Sequence, residues 1–597
     1  MLSELKHIWF DGTFVHGTIP SEIFSLSNLE ILYLLSNRIF GTIPSEVGKL
    51  SQLVSLELSY NNIYGTLPTE VGILSKLRWF HLQQNSIEGT IPTEVGMLSR
   101  VQNFWLNINN MSGTIPTEVG MLSQVKNIRL SNNNFDGTIP TEIGMLQHLD
   151  RFNMENNNIQ STIPSEIGML RQIRGLFLWN NSISGAIPSE IGMMSLLEGL
   201  TLSQSNLTGT IPSEVGMLTY LEVLELHENN IEGAIPSEVG KLSNLEHIWL
   251  FRNNMNSTIP TEIGMLSQLT WLSLHENNII GTIPTEVGKL TSLERLDLSE
   301  NLITGPIPTE IGMLYHIKLF YLSDNILTGT IPSGMMSKVQ KINLSRNRLS
   351  NSMLHLGKAT SSLQYLNISN NVLTSFPFGE NGFKELVTLD LTENLIRQNV
   401  FMFIDGLPSI KDLLLSNNFF YGSIPNAIRS LARMEKLHLD NNRLIGTIPD
   451  DVLSLVRLRE LKLSHNRQET QCFEALTECG AQPYQGGVLC CGGDNGEQVC
   501  ADGLGVEIVD PIYYCLTPGL HGTIPAGFTN TPYLQVLDLS STLLKGNIPP
   551  EIGGLSRLEI LDLSNSALTG SIPSSLGALT DAVVLVRGND MIRGQNK

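Results

Sequence analysis

The side chains with the most obvious chemical potential in this sequence are histidine, glutamate, cysteine and tryptophan, and their spacing decides what they could do. The tetrapeptide His-Glu-Asn-Asn occurs twice, at residues 227–230 and 275–278. It opens like the metalloprotease pattern in which two histidines four residues apart on a helix hold zinc while the glutamate between them acts as base. The fifth residues here are Ile231 and Ile279, so the second ligand is missing and zinc hydrolysis is not expected. No nucleophile elbow, phosphate loop or dinucleotide fingerprint lies between a strand and a helix. The expectation is a non-catalytic chain that needs no cofactor.

Cysteine is concentrated in one place. All six cysteines, Cys472, Cys479, Cys490, Cys491, Cys500 and Cys515, fall in or at the edge of residues 467–521, a segment that includes the glycine-rich run GGVLCCGGDNGEQVCADGLG. Such a segment buries little core, and clustered cysteines there point to disulfide stapling in an oxidising compartment. Six cysteines allow fifteen pairings, and the sequence does not choose among them. Free thiols and a metal site are the alternatives, although no Cys-x-x-Cys with a downstream histidine favours zinc.

The tryptophans are equally selective once the elements that carry them are known. Pro20, Pro44, Pro68, Pro92 and onward to Pro332 recur every 24 residues, and the spacing returns at Pro425/Pro449 and Pro525/Pro549/Pro573. Each proline belongs to a unit of the form LxxLxLxxNxxxGTIP[ST]E[IV]GxL. A fixed period in the twenties with Leu-x-Leu-x-x-Asn inside it is the signature of a leucine-rich-repeat solenoid. Twenty-three units are legible, from Leu5 to Ala582.

The period-two alternation predicts a strand with every second side chain buried. Strands of successive coils then pair in parallel about 4.8 Å apart, giving an arc on the order of 110 Å. The Asn position (Asn37, Asn61, Asn85, Asn109 and onward to Asn466) predicts an inward amide serving unpaired backbone groups, with Thr13, Thr542, Ser566 and Asp590 in that slot at the ends. Glycine permits the turn and Ile-Pro fixes an extended bend. The following Ser or Thr is expected to cap a short helical turn, with Glu beside the positive end. That glutamate, from Glu22 to Glu310, reads as solenoid structure and not as a ligand site.

The consensus with its GxIPxxLG-like turns resembles the plant-type leucine-rich-repeat family, which includes receptor-kinase and receptor-like-protein ectodomains and secreted glycosidase inhibitors. The resemblance covers about nine tenths of the chain. It implies an α/β solenoid, a right-handed superhelix with a concave parallel β-sheet and short 3-10 or helical turns on the convex side. It also implies that the concave face recognises peptides, steroids, glycans or other proteins.

On that face the sequence is uneven. All six tryptophans, Trp9, Trp79, Trp105, Trp179, Trp249 and Trp271, occupy positions expected to point outward from the strands. So do His7, His81, His227, His247 and His275, with Phe177, Phe251 and Tyr321. The densest cluster combines Glu225 and His227 with His247, Trp249 and Phe251, then Trp271 and His275. Rigid aromatic and imidazole groups are favoured anchors for a bound partner; the competing account is rings packing on one another across strands. The ligand expected is a protein or peptide, with a glycan as a further option.

The expected organisation is a solenoid over 1–466, with irregular turns at about 333–409 where the Gly-Thr-Ile-Pro signature lapses, a cysteine-rich insertion at 467–521, and closing repeats at 522–597. With 37 basic against 57 acidic residues the net charge is −20, which repels phosphate backbones and argues against nucleic acid. No uninterrupted apolar run approaches the ~18–20 residues of a membrane span. Met1-Leu2-Ser3 matches Met97-Leu98-Ser99 inside the repeat, so the natural product is expected to extend upstream. Sequons at Asn110, Asn180, Asn206, Asn256, Asn343 and Asn367 permit secretion. An extracellular or cell-surface recognition module with a signalling or defence role is the leading expectation. A structural spacer or a cytoplasmic scaffold is the alternative, the latter because MLSELKHIWF lacks a signal-peptide pattern.

Overall fold

In the computed structural model of the 597-residue chain, residues 4–332, 339–350, 362–376, 383–399, 401, 404, 406–466 and 519–589 are described in full; in the short strands Gln471–Glu474, Cys490–Gly492, Gln498–Cys500, Val506–Asp510, Tyr513–Leu516 and Met591–Arg593 only the backbone is described. The chain divides into two compact units, Met1–Ile317 and Lys318–Lys597.

In the first unit most coils repeat one plan. The coil around Trp105 has a strand at Asn103–Trp105, a second short strand at Asn110–Gly113 and a 3-10 turn at Thr117–Met121. In the first strand the middle residue is buried and its two neighbours are half-exposed, as period-two alternation requires. Successive strands pair in parallel without slippage: Trp79, Phe80 and His81 face Asn103, Phe104 and Trp105. The interior is a column of Leu, Ile, Val and Phe, including Leu77, Phe80, Leu82, Val95 and Leu98, all essentially inaccessible to water. Among the described residues, helical structure is confined to 3-10 turns.

The asparagine ladder forms as expected. Asn109 Nδ2 donates to the carbonyls of Leu82 and Leu106, each at 3.0 Å, and its Oδ1 accepts from the Ile87 N–H at 3.0 Å. One amide thus ties its own coil to the preceding one, which satisfies backbone groups that the turn would strand in an apolar interior. The residue before it is left-handed in coil after coil, for example Ile108 at φ 57° and Asn132 at φ 54°.

Three features differ from the sequence expectation. The Ser or Thr after proline does not cap the turn. Pro92 is the cap residue at φ −69°, ψ 144°, with no side-chain capping bond. Thr93 already lies inside the turn, and its hydroxyl donates to the adjacent Glu94 carboxylate at 3.3 Å. The second difference is the additional parallel ladder made by the short strands His16–Gly17, Arg38–Gly41, Asn62–Thr66, Ser86–Gly89, Asn110–Gly113 and Asn134–Phe135. It lapses in the coil where Ser161 replaces the usual glycine, because Gly137 and Gly185 on either side take φ of 78° and 77° while Ser161 does not turn left-handed. The third is the final ladder residue, which is Asn589 and not Asp590. Strand pairing sets Leu561 opposite Val584, one residue short of the usual repeat, and Asn589 Nδ2 donates to Leu563 O and Val586 O, both at 2.8 Å.

The second unit uses the same plan. Strands Lys341–Asn343, Tyr365–Asn367, Thr388–Asp390 and Asp412–Leu414 continue the parallel ladder through the stretch whose turns lose their signature. Glu460–Lys462 then pairs directly with Val536–Asp538, so the ladder skips the cysteine-bearing segment. Backbone pairing there sets Cys472 opposite Cys515 and Cys490 opposite Cys500. The expected disulfides involve side chains that lie outside the described residues, as does Cys479 altogether.

Candidate functional site

The strict 24-residue register turns distant residues into rows on the water-facing side of the first unit's sheet. One row runs Gly199, Val223, His247, Trp271, Arg295 and the next Thr201, Glu225, Trp249, Ser273, Asp297. A third row, two residues further along each coil, carries His227, Phe251 and His275. The same geometry places Trp79 in the first row, His81, Trp105 and Phe177 in the second, and Trp179 in the third. Tyr321 lies on the strand Leu319–Tyr321 of the second unit.

The expected cluster assembles. Phe251 is sandwiched between His227 (4.3 Å, 15°) and His275 (4.4 Å, 9°). Trp249 meets Trp271 edge-on at 4.7 Å, and His247 stacks on Trp249 at 5.6 Å. These rings are half-buried against one another, unlike Trp9, which is 63% exposed. Cross-strand ring packing is therefore part of what holds the face. It leaves polar capacity unspent, because Trp249 Nε1, Trp271 Nε1, His227 Nδ1 and the 5%-exposed Thr201 hydroxyl are buried without a partner. Burial holds the His227 and His275 imidazoles below their ordinary pKa, neighbouring carboxylates partly opposing it. Burial likewise raises the Glu225 carboxyl, whose carboxylate receives no hydrogen bond or ion pair among the described residues.

A second group emerges that the sequence reading named only in part. Glu57 Oε2 lies 2.6 Å from His81 Nδ1, His81 stacks on Trp105 at 4.0 Å and 10°, and the Arg129 guanidinium sits 4.3 Å over the Trp105 ring. Glu57 and Arg129 went unnoticed, although they occupy the same slot one coil before His81 and one coil after Trp105. Arg252 was missed as well: it bridges Glu228 at 3.2 Å and Glu276 at 2.9 Å. Phe177 stands apart from the other rings. A Cβ added to Gly175 would fall 2.4 Å from its Cε2 and one on Gly199 3.5 Å from its Cε1, so the ring lies down over two side-chain-free positions.

The arrangement does not assemble an acyl-transfer relay. Ser273 Oγ is 2.9 Å from His275 Nδ1, and Asp297 Oδ2 is 3.6 Å from that same nitrogen. A serine–histidine–carboxylate relay needs the two partners on opposite ring nitrogens. In the His-Glu-Asn-Asn segments, Asn229 and Asn277 are ladder amides, and Glu228 and Glu276 are the left-handed residues before them. Among the described residues, no three metal-ligating side chains converge.

By repeat and by fold the chain is a leucine-rich-repeat solenoid. The Leucine Rich Repeat family model matches residues 28–50, 124–146, 220–242, 268–290, 292–314, 433–455, 533–555 and 557–579. Receptor-like protein 1 of Arabidopsis thaliana is 42% identical over 59 residues, 10% of this chain, a match that spans only 6% of that protein's length. Among solved structures, a TDR receptor shares 26% identity, with 99% of this chain and 93% of that one aligned at a TM-score of 0.85. The Arabidopsis receptor kinase HAESA, in complex with the peptide hormone IDA and the co-receptor SERK1, shares 27% identity over 98% of this chain and 86% of its own, at a TM-score of 0.74. Plant leucine-rich-repeat receptors are thus among the solved structures that this chain is similar to. Among the described residues no helix is long and apolar enough to cross a membrane.

Proposed function

We propose that this chain is a non-catalytic recognition module that captures an extended peptide segment, free or part of a larger protein, on the water-facing strand rows of its first unit, in an extracellular or cell-surface setting. The observation that carries the reading is the group around Trp249 and Trp271, where stacked rings enclose indole N–H, imidazole and hydroxyl groups that have no protein partner. Folding gains nothing from stranding such groups, whereas a peptide backbone supplies the missing acceptors and donors. The similarity to a receptor kinase solved with a peptide hormone and a co-receptor supports the same reading.

The test is selection of displayed random dodecapeptides on the full chain. Under this reading, binders are recovered, and the W249A/W271A double variant weakens them at least 100-fold while its thermal transition stays within the range of other surface variants. If no binder is recovered, or if recovered binders ignore the double substitution, the rings serve only to stiffen the sheet and the chain is a structural spacer. Oxidised export is tested separately, by thiol titration of the denatured, unreduced protein recovered from the extracellular medium: six free thiols would refute it.

A further inference from the structure

The two aromatic groups on this face are built alike but completed differently. In the first, the row Glu57, His81, Trp105, Arg129 has its carboxylate and indole face answered within the chain, although Trp105 Nε1 and His81 Nε2 are buried without a partner: the carboxylate has an imidazole at 2.6 Å and the indole has a guanidinium over its face at 4.3 Å. At the far edge of the second group, Arg295 likewise lies 4.7 Å over Trp271 and contacts Asp297 at 3.2 Å. The row Thr201, Glu225, Trp249 has the carboxylate and the indole but no cation. Arg252, the nearby guanidinium, is held by Glu228 and Glu276, and that trio carries more negative than positive charge. Thr201 beside Glu225 is buried with its hydroxyl unpartnered, and the Trp249 Nε1–H on the other side is also unmet.

Resting on the recognition reading above, we propose that the ligand supplies the missing cation: an arginine or lysine side chain of the bound peptide seats beside Glu225, between Thr201 and the Trp249 ring. The cation pairs with the Glu225 carboxylate, and its flat or methylene surface lies against the indole, where a desolvated cation–aromatic contact is favourable. A half-buried carboxylate left alone among aromatic rings costs stability in the free protein; a cationic guest removes that cost.

The probes are N-acetyl-L-arginine methylamide and its neutral isostere N-acetyl-L-citrulline methylamide, titrated into the full chain labelled with 5-fluorotryptophan. The six fluorine resonances, one per tryptophan, are assigned by single Trp→Phe changes. The expected result is a saturable shift of the Trp249 resonance with the arginine probe in the millimolar range, at least tenfold weaker with citrulline, and no response at Trp9. Glu225→Gln should abolish the preference for arginine, and Glu225→Asp should retain part of it. Equal responses to both probes, or an arginine preference that survives Glu225→Gln, would overturn the assignment. Peptides selected on the full chain separate the two claims. Binders that require Trp249 and Trp271 but lack enriched basic residues and tolerate Glu225→Gln sink the cation site alone. Binders indifferent to the tryptophans sink both.

Discussion

Replacing Asn253 by alanine tests the ladder that shapes every coil. Its Nδ2 donates to Leu226 O at 3.0 Å and Leu250 O at 3.1 Å, and its Oδ1 accepts from Ile231 N at 3.0 Å. The side chain is buried, so water cannot replace these bonds. Three bonds at about 1 kcal/mol each, plus the added cost of stranding buried backbone groups, give a loss of about 3–5 kcal/mol. Because a solenoid opens locally, the loss should appear as faster hydrogen exchange in peptides spanning residues 226–255, with coils several repeats away unchanged. Asn253→Asp is expected to fare no better, since it keeps the acceptor and loses both donors.

The protein contains the reciprocal experiment. Ser205 occupies the ladder slot of its coil, where its hydroxyl reaches only Asn181 O at 3.4 Å. Ser205→Asn would bring an acceptor to Ile183 N and donors to Leu178 O of the preceding coil and Leu202 O of its own, raising stability by about 1–2 kcal/mol. A loss below 1 kcal/mol at Asn253 together with no gain at Ser205 would refute the account.

Three further outcomes are expected. Gly168→Ala should cost about 3 kcal/mol in denaturant unfolding, because the new Cβ would lie 2.3 Å from the Glu190 carbonyl oxygen, a backbone atom of the next coil; a neutral result would mean the coils separate freely there. Ile108→Asn should raise the melting temperature, with a gain of about 1 kcal/mol, because a β-branched residue at φ 57° is strained and Asn tolerates that region. His227 and His275 are held below their ordinary pKa by burial, so between that lowered range and about 6.5 the unfolded chain binds more protons than the folded one. Stability from this source is complete above about pH 6.5 and falls as pH decreases through that window; the H227F/H275F variant should lose stability less steeply between pH 7 and 5, and an identical slope would exclude these residues as the cause.

How much of this was legible beforehand follows from which interactions are local. The coil plan, the buried alternation, the inward amide and the pairing of each residue with the one 24 positions on are written in the repeat, because backbone hydrogen bonding between identical coils leaves a single register. That constancy was enough to bring His227, Trp249, Phe251, Trp271 and His275 together before any coordinates. The turn start was misjudged by one position, since proline, and not the residue after it, takes the extended cap conformation. The glycine before the last leucine of each unit passed without explanation, since the close approach that requires it is made by the next coil's backbone. Side-chain partnership was decided only in three dimensions. Whether a ring stands up, as Trp249 does against Trp271, or lies down, as Phe177 does over Gly175, depends on the volumes at neighbouring coils. Whether a carboxylate is answered, as Glu57 is by His81, or left alone, as Glu225 is, depends on rotamers that no period encodes. The repeat sets which residues meet; packing among them sets which still have something to offer a ligand.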